Sequence, residues 1–180
     1  MTDFEQIARA ARNGDTKAVE ELVQSCYSDV WRLCALLVDS KAADDLTQET
    51  FAQALRGLAR YRGEASGRTW ILSIARNVCA DELRRRVRRR RRDGRLTDLA
   101  HIAADAAPDP AGAATMSLLG ELDLDRRAAF VLTQLFRLSY EEAATVCGCP
   151  PGTIRSRVAR ARAQLIELLG YELAAGGTVG

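Results

Sequence analysis

The sequence predicts an all-α protein made of two small helical units on an acidic linker. Apolar residues recur at intervals of three and four over most of the chain, and no alternating strand pattern extends beyond a few residues. The 180 residues, of which 47% are hydrophobic and 28% charged, have the composition of a globular chain. Periodicity fades after residue 92, in a stretch rich in alanine that contains Gly94 and Pro108. The expected segments are a first unit at 1–92, a linker at 93–115, a second unit at 116–170 and a frayed tail at 171–180.

The first half of the first unit predicts two helices. Thr2 and Glu5 have the spacing of a capping box, in which two side chains satisfy the free amides at a helix start. The break at residues 13–15 then precedes a long run with one apolar stripe, as expected of an amphipathic helix. The stripe consists of Val19, Leu22, Val23, Cys26, Tyr27, Val30, Trp31, Cys34, Leu37 and Val38.

The second half of the first unit predicts two further helices. Asp39 and Ser40 interrupt the apolar stripe and are suited to cap the helix that follows them. A loop at residues 62–67 separates that helix from the last one, which is expected to run from Thr69 or Trp70 to about residue 92.

The second unit has the pattern of a helix-turn-helix. Ser139 and Glu142 form another capping box, and Gly148 stands where a tight turn requires a positive φ. The second helix runs from Thr153 to about Leu169 and is rich in arginine, as are helices that read the DNA major groove. The inward-facing residues are expected to be Tyr140, Ala143, Ala144, Cys147, Ile154, Val158, Ala161 and Leu165. The residues expected to contact DNA are Thr153, Arg155, Ser156, Arg157, Arg160 and Arg162. For the arginines alone, a solvated helical face is the alternative.

The charges are segregated along the chain, although the net charge is only +2. Residues 1–55 contain 5 basic and 10 acidic side chains, whereas residues 56–95 contain 14 basic and 4 acidic ones. Residues 96–136 are again acidic, with 2 basic side chains against 6. This pattern offers a basic surface to a polyanion and an acidic surface to a different partner.

Several classes of function find no support in the sequence. No stretch approaches the roughly 20 apolar residues of a membrane span, and the N-terminus lacks the features of a signal peptide. We therefore expect a cytoplasmic chain without membrane insertion and, with five cysteines, without a disulfide framework. A glycine-rich phosphate loop with lysine and a histidine cluster are both absent, so no enzyme activity, catalytic residue, metal or cofactor is expected. Cys147 and Cys149 would make a poor zinc site, and core packing is favoured for Cys147.

Four stretches of the chain resemble one protein family. Similarity to region 2 of bacterial sigma factors is carried by residues 44–51 (DDLTQETF) and 68–78 (RTWILSIARNV). Similarity to region 4 is carried by residues 138–144 (LSYEEAA) and 148–157 (GCPPGTIRSR). The order and spacing of these motifs resemble the short, two-domain extracytoplasmic-function (ECF, group 4) factors of the sigma-70 family, over about residues 3–92 and 116–169.

The resemblance implies a helix that docks on the coiled coil of the largest RNA polymerase subunit. An acidic helix face with a few apolar anchors suits a basic groove on the partner. For Asp44 and Asp45 a favourable interaction with the positive end of the helix dipole is an alternative that is compatible with docking. The implied polymerase-binding residues are Asp44, Asp45, Leu46, Gln48, Glu49 and Phe51.

The resemblance also implies that the first unit reads the −10 promoter element as a melted single strand with one base flipped into a pocket. Aromatic and guanidinium faces stack on exposed bases, and an amide pairs with a base edge. For Trp70 the alternative of core packing is favoured, and Asn77 has the alternative of an ordinary solvent-facing position. The implied −10 residues are Tyr61, Arg62, Arg68, Trp70, Arg76, Asn77, Arg84 and Arg85.

Arginine fills eight of the nine positions from Arg84 to Arg92, interrupted only by Val87. A run this dense does not present one face and therefore does not read bases. Phosphate contact near the melted region is predicted, which would steepen the salt dependence of DNA binding. A solvated or disordered charge run is the alternative, and ordering on DNA would combine the two.

The predicted function is transcription initiation without catalysis. The first unit would dock on core RNA polymerase and hold the melted −10 strand, while the second unit reads the duplex −35 element. A helix-turn-helix regulator that acts without polymerase is the alternative, but it leaves the motifs at 44–51 and 68–78 unused. An anti-sigma protein is a further partner compatible with the sigma interpretation, not a competing function.

Overall fold

The computed structural model describes residues 3–92 and 110–176, and within these ranges the regular structure is helical, without strands. The all-α prediction is confirmed for this part of the chain. A 3₁₀ turn at Leu58–Arg60 and a π-helical turn at Val131–Leu135 accompany the α-helices. The α-helices are α1 (Asp3–Arg12), α2 (Thr16–Leu37), α3 (Ser40–Gly57), α4 (Gly67–Arg92), α5 (Pro110–Gly120), α6 (Leu124–Phe130), α7 (Tyr140–Cys147) and α8 (Pro151–Gly176).

Side-chain caps start four of the described helices, and those at Asp39 and Ser139 stand where the sequence predicted them. The Asp15 carboxylate accepts hydrogen bonds from the backbone amides of the first turn of α2, and Asp39 accepts one from the Ala42 amide at 2.8 Å. At α7 the capping box is complete, since Ser139 Oγ accepts from the Glu142 amide and Glu142 accepts from the Ser139 amide. Each such cap contributes about 1 kcal/mol to helix stability. The capping box expected at Thr2 lies outside the described residues.

Helices α2, α3 and α4 enclose the core of the first unit. Leu22 and Leu33 on α2 and Ile71 and Leu72 on α4 are almost completely buried. Burial of one such side chain contributes about 1.5–3 kcal/mol. The apolar stripe predicted for α2 has the correct period. Tyr27, which was predicted as part of it, is however 45% exposed.

In the second unit α6 and α7 pack on α8, with a tight turn between the last two helices. Gly148 caps α7 in the left-handed conformation at φ 62° and ψ 40°, as its position in the sequence predicted. Ile154, Val158 and Ala161 face the core, as predicted, and Cys147 is also buried. The described residues therefore contain the expected helix-turn-helix.

Several helix boundaries differ from the expected ones. Helix α4 begins at Gly67 rather than at Thr69 or Trp70, and α8 begins at Pro151 rather than at Thr153. Helix α5 begins at Pro110, inside the segment expected as linker, because proline is well suited to the first turn of a helix and alanines follow it. Helix α8 continues to Gly176, beyond the expected end of the second unit. The arginine run that ends at Arg92 is part of α4, so it is helical in the chain without DNA.

The two units are in direct contact. Helix α4 of the first unit packs against α7 of the second, and their buried apolar residues form one continuous cluster. The Arg127 guanidinium is buried and donates hydrogen bonds to the carbonyls of Leu37, Gly120 and Leu122 at 2.7–3.0 Å. Because Leu37 belongs to α2, this side chain joins the units. No helix in the described ranges has the length and apolarity that a bilayer crossing demands.

Burial raises the pKa of the Cys147 thiol to about 11, from the value near 9 of an exposed thiol. The folded state therefore holds this proton more tightly than the unfolded state. We expect the free energy of unfolding to be unaffected by this group below pH 9 and to fall as the pH rises from about 9 to about 11. The expected loss is about 1–3 kcal/mol, measured by urea unfolding at several pH values.

Cys147→Ala should reduce this pH dependence by the amount that Cys147 contributes, because the variant has no thiol to ionise at position 147. Burial also raises the pKa of Cys26, and this thiol contributes equally in both proteins. Cys149→Ala leaves the buried thiol in place and should retain the original dependence. The raised pKa of Cys147 would be wrong if the difference in free energy of unfolding between the original chain and Cys147→Ala did not change between pH 8 and pH 11.

Candidate nucleic-acid and polymerase interface

Helix α3 presents a polar, acidic outer face. Asp44, Asp45 and Gln48 are exposed and Glu49 is half-buried, with successive positions on the same side of the helix. Glu49 Oε1 accepts a hydrogen bond from Gln53 Nε2 at 2.8 Å and lies 3.4 Å from the guanidinium of Arg56. The face is thus held in place by contacts within α3 while its carboxylates remain open to solvent.

Asp44 does not serve as a helix-dipole residue. The carboxylate lies in the second turn of α3, whereas the dipole acts mainly in the first turn, where α3 has no acidic residue. Instead, Asp44 Oδ1 accepts a hydrogen bond from Trp31 Nε1 at 2.8 Å. Trp31 on α2 therefore orients this carboxylate, a role that its place in an apolar stripe did not reveal.

The two apolar residues expected on the docking face, Leu46 and Phe51, are buried in the core, each 6% exposed. They hold α3 on the unit rather than standing on its surface. The exposed apolar groups near them are Leu55 of α3 and Tyr27 of α2, whose ring stacks on Phe51 with the two ring planes 2° apart. The outward part of this site is therefore Asp44, Asp45, Gln48 and Glu49 with Tyr27 next to them.

Some of the candidate −10 residues lie on the loop before α4 and along one face of that helix, whereas Arg68 and Arg76 lie on its other side. Trp70, Asn77 and Arg84 are seven residues apart, which places them on one face over about 21 Å. Asn77 is exposed, and its Oδ1 accepts a hydrogen bond from Arg76 at 3.3 Å. This face combines an aromatic ring, an amide and a guanidinium, which together can stack on a base, pair with its edge and bind its phosphate.

Tyr61 and Trp70 form the aromatic end of this face. Their ring centroids are 4.9 Å apart at a tilt of 43°, and both rings are half-buried. The Tyr61 hydroxyl donates a hydrogen bond to the Ala65 carbonyl at 2.8 Å, which fixes the loop. The two rings and Arg62 line an open cleft of about 390 Å³. Trp70 thus combines the two alternatives: one part of its ring packs against Tyr61, and another part lines the cleft.

Two of the candidate −10 arginines bind carboxylates on other helices. Arg68 Nε donates to the Asp29 carboxylate at 2.6 Å, and its guanidinium lies 5.9 Å from the ring centre of Phe136 in the second unit. Arg76 is only 17% exposed and pairs with Asp125 of α6 at 2.5 Å. Neither guanidinium is free for DNA in this arrangement of the units.

The arginine run at the end of α4 has an ordered inner side and an exposed outer side. Arg86 is half-buried and pairs with Glu82 and with Asp39, the capping residue of α3. Arg84 and Arg85 are exposed and pair with Asp81 and Glu82 within α4. The exposed guanidiniums of this segment are at the C-terminal end of a helix, where the dipole favours positive charge.

The helix-turn-helix presents most of its predicted DNA-contacting residues. Arg155, Ser156, Arg160 and Arg162 on α8 are exposed, and Thr153 is half-buried. The Arg155 guanidinium lies 5.8 Å from the ring centre of Tyr140, and Arg162 donates a hydrogen bond to Gln134 at 2.6 Å. These contacts orient the two arginines along the helix and leave their outer edges open.

Arg157 is the exception on α8. Its guanidinium is 21% exposed and pairs with Asp125 at 2.6 Å, the same carboxylate that binds Arg76. One carboxylate therefore holds one candidate −10 arginine and one candidate −35 arginine. Thr145 of α7 also lines the cleft beside Tyr61 and Trp70, so the second unit borders the −10 surface.

The described residues do not contain a group of three or more histidine, cysteine or carboxylate side chains placed to hold a metal. In the same ranges all five cysteines are free thiols. What the chain offers is a set of charged and aromatic surfaces suited to macromolecular partners.

Both units match known family models. Residues 22–89 match Sigma-70 region 2, and residues 113–165 match Sigma-70, region 4, which together cover more than half of the chain. The ECF RNA polymerase sigma factor SigC of Mycobacterium tuberculosis is 46% identical over 165 residues, which cover 89% of this chain and 88% of that protein. SigM of the same species, also an ECF RNA polymerase sigma factor, is 33% identical over 159 residues, 88% of this chain and 80% of that protein.

Solved structures of similar proteins share the fold. The sigma factor RpoE from Bartonella quintana, in complex with the anti-sigma factor NepR, has a TM-score of 0.71 and 29% identity, covering 86% of this chain and 98% of that one. CnrH in complex with the cytosolic domain of CnrY has a TM-score of 0.70 and 28% identity, covering 92% and 96%. Since both sigma-70 regions are matched and curated relatives are this similar over most of their length, the chain belongs to the ECF sigma factors of the sigma-70 family.

Proposed function

We propose that this chain binds core RNA polymerase through α3 and directs it to promoters through α8 at the −35 element and through the 61–77 surface at the −10 element. The observation that carries this proposal is the presence of three separate surfaces on one chain. They are an acidic face on α3, an aromatic and amide face on α4 and a basic face on α8. A regulator that only binds duplex DNA would need the basic face on α8 and neither of the other two. The chain is a transcription regulator, and the bond-forming chemistry belongs to the polymerase.

Docking on polymerase uses the outward side chains of α3. Asp44, Asp45, Gln48 and Glu49 present negative charge and hydrogen-bond acceptors to a basic surface, with Tyr27 as an apolar neighbour. Trp31 holds the Asp44 carboxylate in place, so less side-chain freedom is lost on binding.

Capture of the melted −10 strand uses the cleft at the start of α4. A flipped base stacks on the Tyr61 and Trp70 rings, and Asn77 offers an amide to a base edge further along the helix. The exposed arginines after Asn77, from Arg84 onwards, neutralise phosphates of the adjoining duplex.

Recognition of the −35 element uses α8. Arg155, Ser156 and Arg160 lie on its exposed side, and arginine binds guanine O6 and N7 bidentately in the major groove. Thr153 and Arg162 extend this surface at either end and contact the sugar–phosphate backbone.

Engagement of both promoter elements requires the units to part. Elements about 17 base pairs apart are separated by about 58 Å of duplex. In the structure, however, Arg76 and Arg157 share one carboxylate, Asp125. Residues 93–109, which connect α4 to α5, would span about 56 Å at about 3.3 Å per residue, a length comparable with that separation. Polymerase docking therefore converts a closed chain into an open one.

An anti-sigma protein is a natural partner for the closed form. Two similar solved structures are complexes of a sigma factor with such a protein or with a cytosolic domain of its partner. A protein that covered the outer face of α3 would keep the chain from polymerase without touching the contact between the units.

Run-off transcription from a randomised promoter library tests the function as a whole. Core polymerase free of other sigma factors is assayed with and without this chain. Transcripts that require the chain and come from templates sharing two motifs at a fixed spacing are the expected result. A chain that binds duplex DNA tightly and specifically but never binds core polymerase would be a regulator of another kind.

Asp45→Arg should abolish binding to core polymerase, because it places a cation in the acidic face of α3 without disturbing a buried group. Glu20→Arg reverses an exposed charge on α2 and should leave the affinity unchanged. The measurement is a titration of labelled chain with core enzyme, with circular dichroism to check folding. An affinity for Asp45→Arg within twofold of the original would place the docking face elsewhere.

Arg155→Ala should relax selectivity at one base pair of the −35 element. The free energy that discriminates between bases at that position should fall by about 1–3 kcal/mol. Arg137→Ala removes an exposed arginine of the same unit that is not on α8. This control should leave the selectivity unchanged at every base pair of the −35 element. Binding of holoenzyme to a panel of single-base promoter variants measures both. An equal loss on every sequence would make Arg155 a phosphate contact.

Asp125→Ala should loosen the closed arrangement, because Arg76 and Arg157 lose their shared anion and then repel one another. Partly exposed ion pairs contribute up to about 1 kcal/mol each. The expected result is a larger radius of gyration of the free chain in X-ray scattering. Asp81→Ala, which removes an ion pair within α4, is the matched control and should leave the radius unchanged. Equal radii for all three proteins would show that Asp125 does not hold the units together.

A further inference from the structure

Helix α1 lies outside the part of the first unit that matches the family model, which begins at residue 22. It nevertheless contacts the candidate −10 surface. The Phe4 ring packs edge-on against Tyr61, with centroids 5.6 Å apart. Phe4 also covers Gly67 so closely that a Cβ at that position would overlap the ring. The absent side chain of Gly67 therefore allows α1 to lie directly against the loop that begins α4.

A basic cleft of about 240 Å³ lies between α1 and this loop. Arg9 and Arg12 stand three residues apart on the same side of α1, and both are exposed. Arg62 reaches the same cleft from the loop, beside Tyr61. Its ion pair with Glu64 spans 4.0 Å between side chains that are both about 80% exposed, so it contributes little and leaves the guanidinium open to a ligand.

The size and charge of this cleft fit a segment of sugar–phosphate backbone. Pockets that enclose whole small molecules have volumes of about 300–1,000 Å³, so this cleft is too small for a nucleotide. Arg9 and Arg12 also lie in the last turn of α1, where the helix dipole favours cations. The dipole accounts for arginine on α1, but it does not account for a third arginine that approaches the cleft from the loop.

The basic cleft adjoins the cleft that holds Trp70. Tyr61 and Arg62 line both, so the two clefts meet at these two residues. A strand whose base stacks on Tyr61 and Trp70 therefore has neighbouring phosphates within reach of α1. Proteins that bind single strands combine aromatic stacking with a positively charged groove that follows the backbone.

We propose that Arg9, Arg12 and Arg62 form a phosphate-binding site for the melted DNA strand, next to the base held at Tyr61 and Trp70. This site rests on the proposed −10 function of the first unit. It makes α1 part of the promoter-binding surface: the two α1 arginines bind the backbone without sequence preference, and the aromatic cleft supplies the preference.

The test uses holoenzyme reconstituted from core polymerase and the full chain. The probe is a fluorescently labelled single strand of 12 nucleotides carrying the −10 sequence obtained from the promoter library, and a second strand carries a substitution at the flipped base. Binding is measured by anisotropy between 50 and 300 mM salt. Each lost phosphate contact lowers the slope of log affinity against log salt by about 0.7 for single strands.

Arg9→Ala/Arg12→Ala should weaken binding of both strands about equally, by tenfold or more at 100 mM salt, and reduce the slope by about 1.4. The preference for the −10 strand over the substituted strand should stay the same. Arg9→Lys/Arg12→Lys keeps both charges and should recover most of the slope. Lys17→Ala removes an exposed cation from α2 and should change neither quantity.

A slope within 0.3 of the original in the double alanine variant, with the preference for the −10 strand intact in both proteins, would overturn the α1 site alone. The same holds if Lys17→Ala lowers the slope as much as the double variant does. No preference for the −10 strand in the original holoenzyme would overturn the −10 function as well. Circular dichroism melting of each variant verifies that α1 remains folded.

Discussion

The carboxylate of Asp125 joins the two helices that carry the candidate DNA surfaces. It lies on α6 and binds one guanidinium from α4 and one from α8. Around it α4 packs on α7, Arg127 donates to a carbonyl of α2, and Phe136 lies near Arg32 and Arg68. Burial lowers the pKa of Arg127, although nearby carboxylates partly offset this effect. Its three carbonyl partners provide the hydrogen bonds that a charge so deeply buried requires.

Arginine has two different uses in this chain, and surroundings decide between them. Arg76, Arg127 and Arg157 are largely withdrawn from solvent and contact groups of the chain itself. Arg155 and Arg160 on α8 stand in solvent. A planar guanidinium suits both uses, because it binds carboxylate, carbonyl and phosphate oxygens with the same geometry. On the proposed function, contacts within the closed chain and contacts with DNA would therefore compete for Arg76 and Arg157.

The sequence was sufficient for features that depend on neighbouring residues. The caps at Asp39 and Ser139 and the left-handed turn at Gly148 follow from short-range hydrogen bonding and backbone sterics, and all were predicted. The cap at Asp15 has the same physical origin, although only a break was predicted there. The order of the helices and the inward faces of α7 and α8 followed from periodicity in the same way.

Features that join distant parts of the chain were not predictable. Asp125 meets Arg76 across 49 positions and Arg157 across 32, and no local pattern marks it as their partner. Leu46 and Phe51 have the periodicity of α3, but periodicity does not distinguish an exposed apolar anchor from a buried one. Tyr27 shows the converse case, since an aromatic ring in an apolar stripe is partly exposed because it covers Phe51.

The closed arrangement has a thermodynamic consequence for the free chain. If only a fraction of the molecules is open, the apparent dissociation constant for a promoter equals the intrinsic constant divided by that fraction. A chain that is open one time in a hundred binds about a hundredfold more weakly, a difference of about 2.7 kcal/mol. On the proposed function, polymerase would recover this free energy by binding the open form preferentially. The contact at Asp125 would thus couple occupancy of promoter DNA to the concentration of core enzyme, and would keep idle copies of the chain from occupying promoters alone.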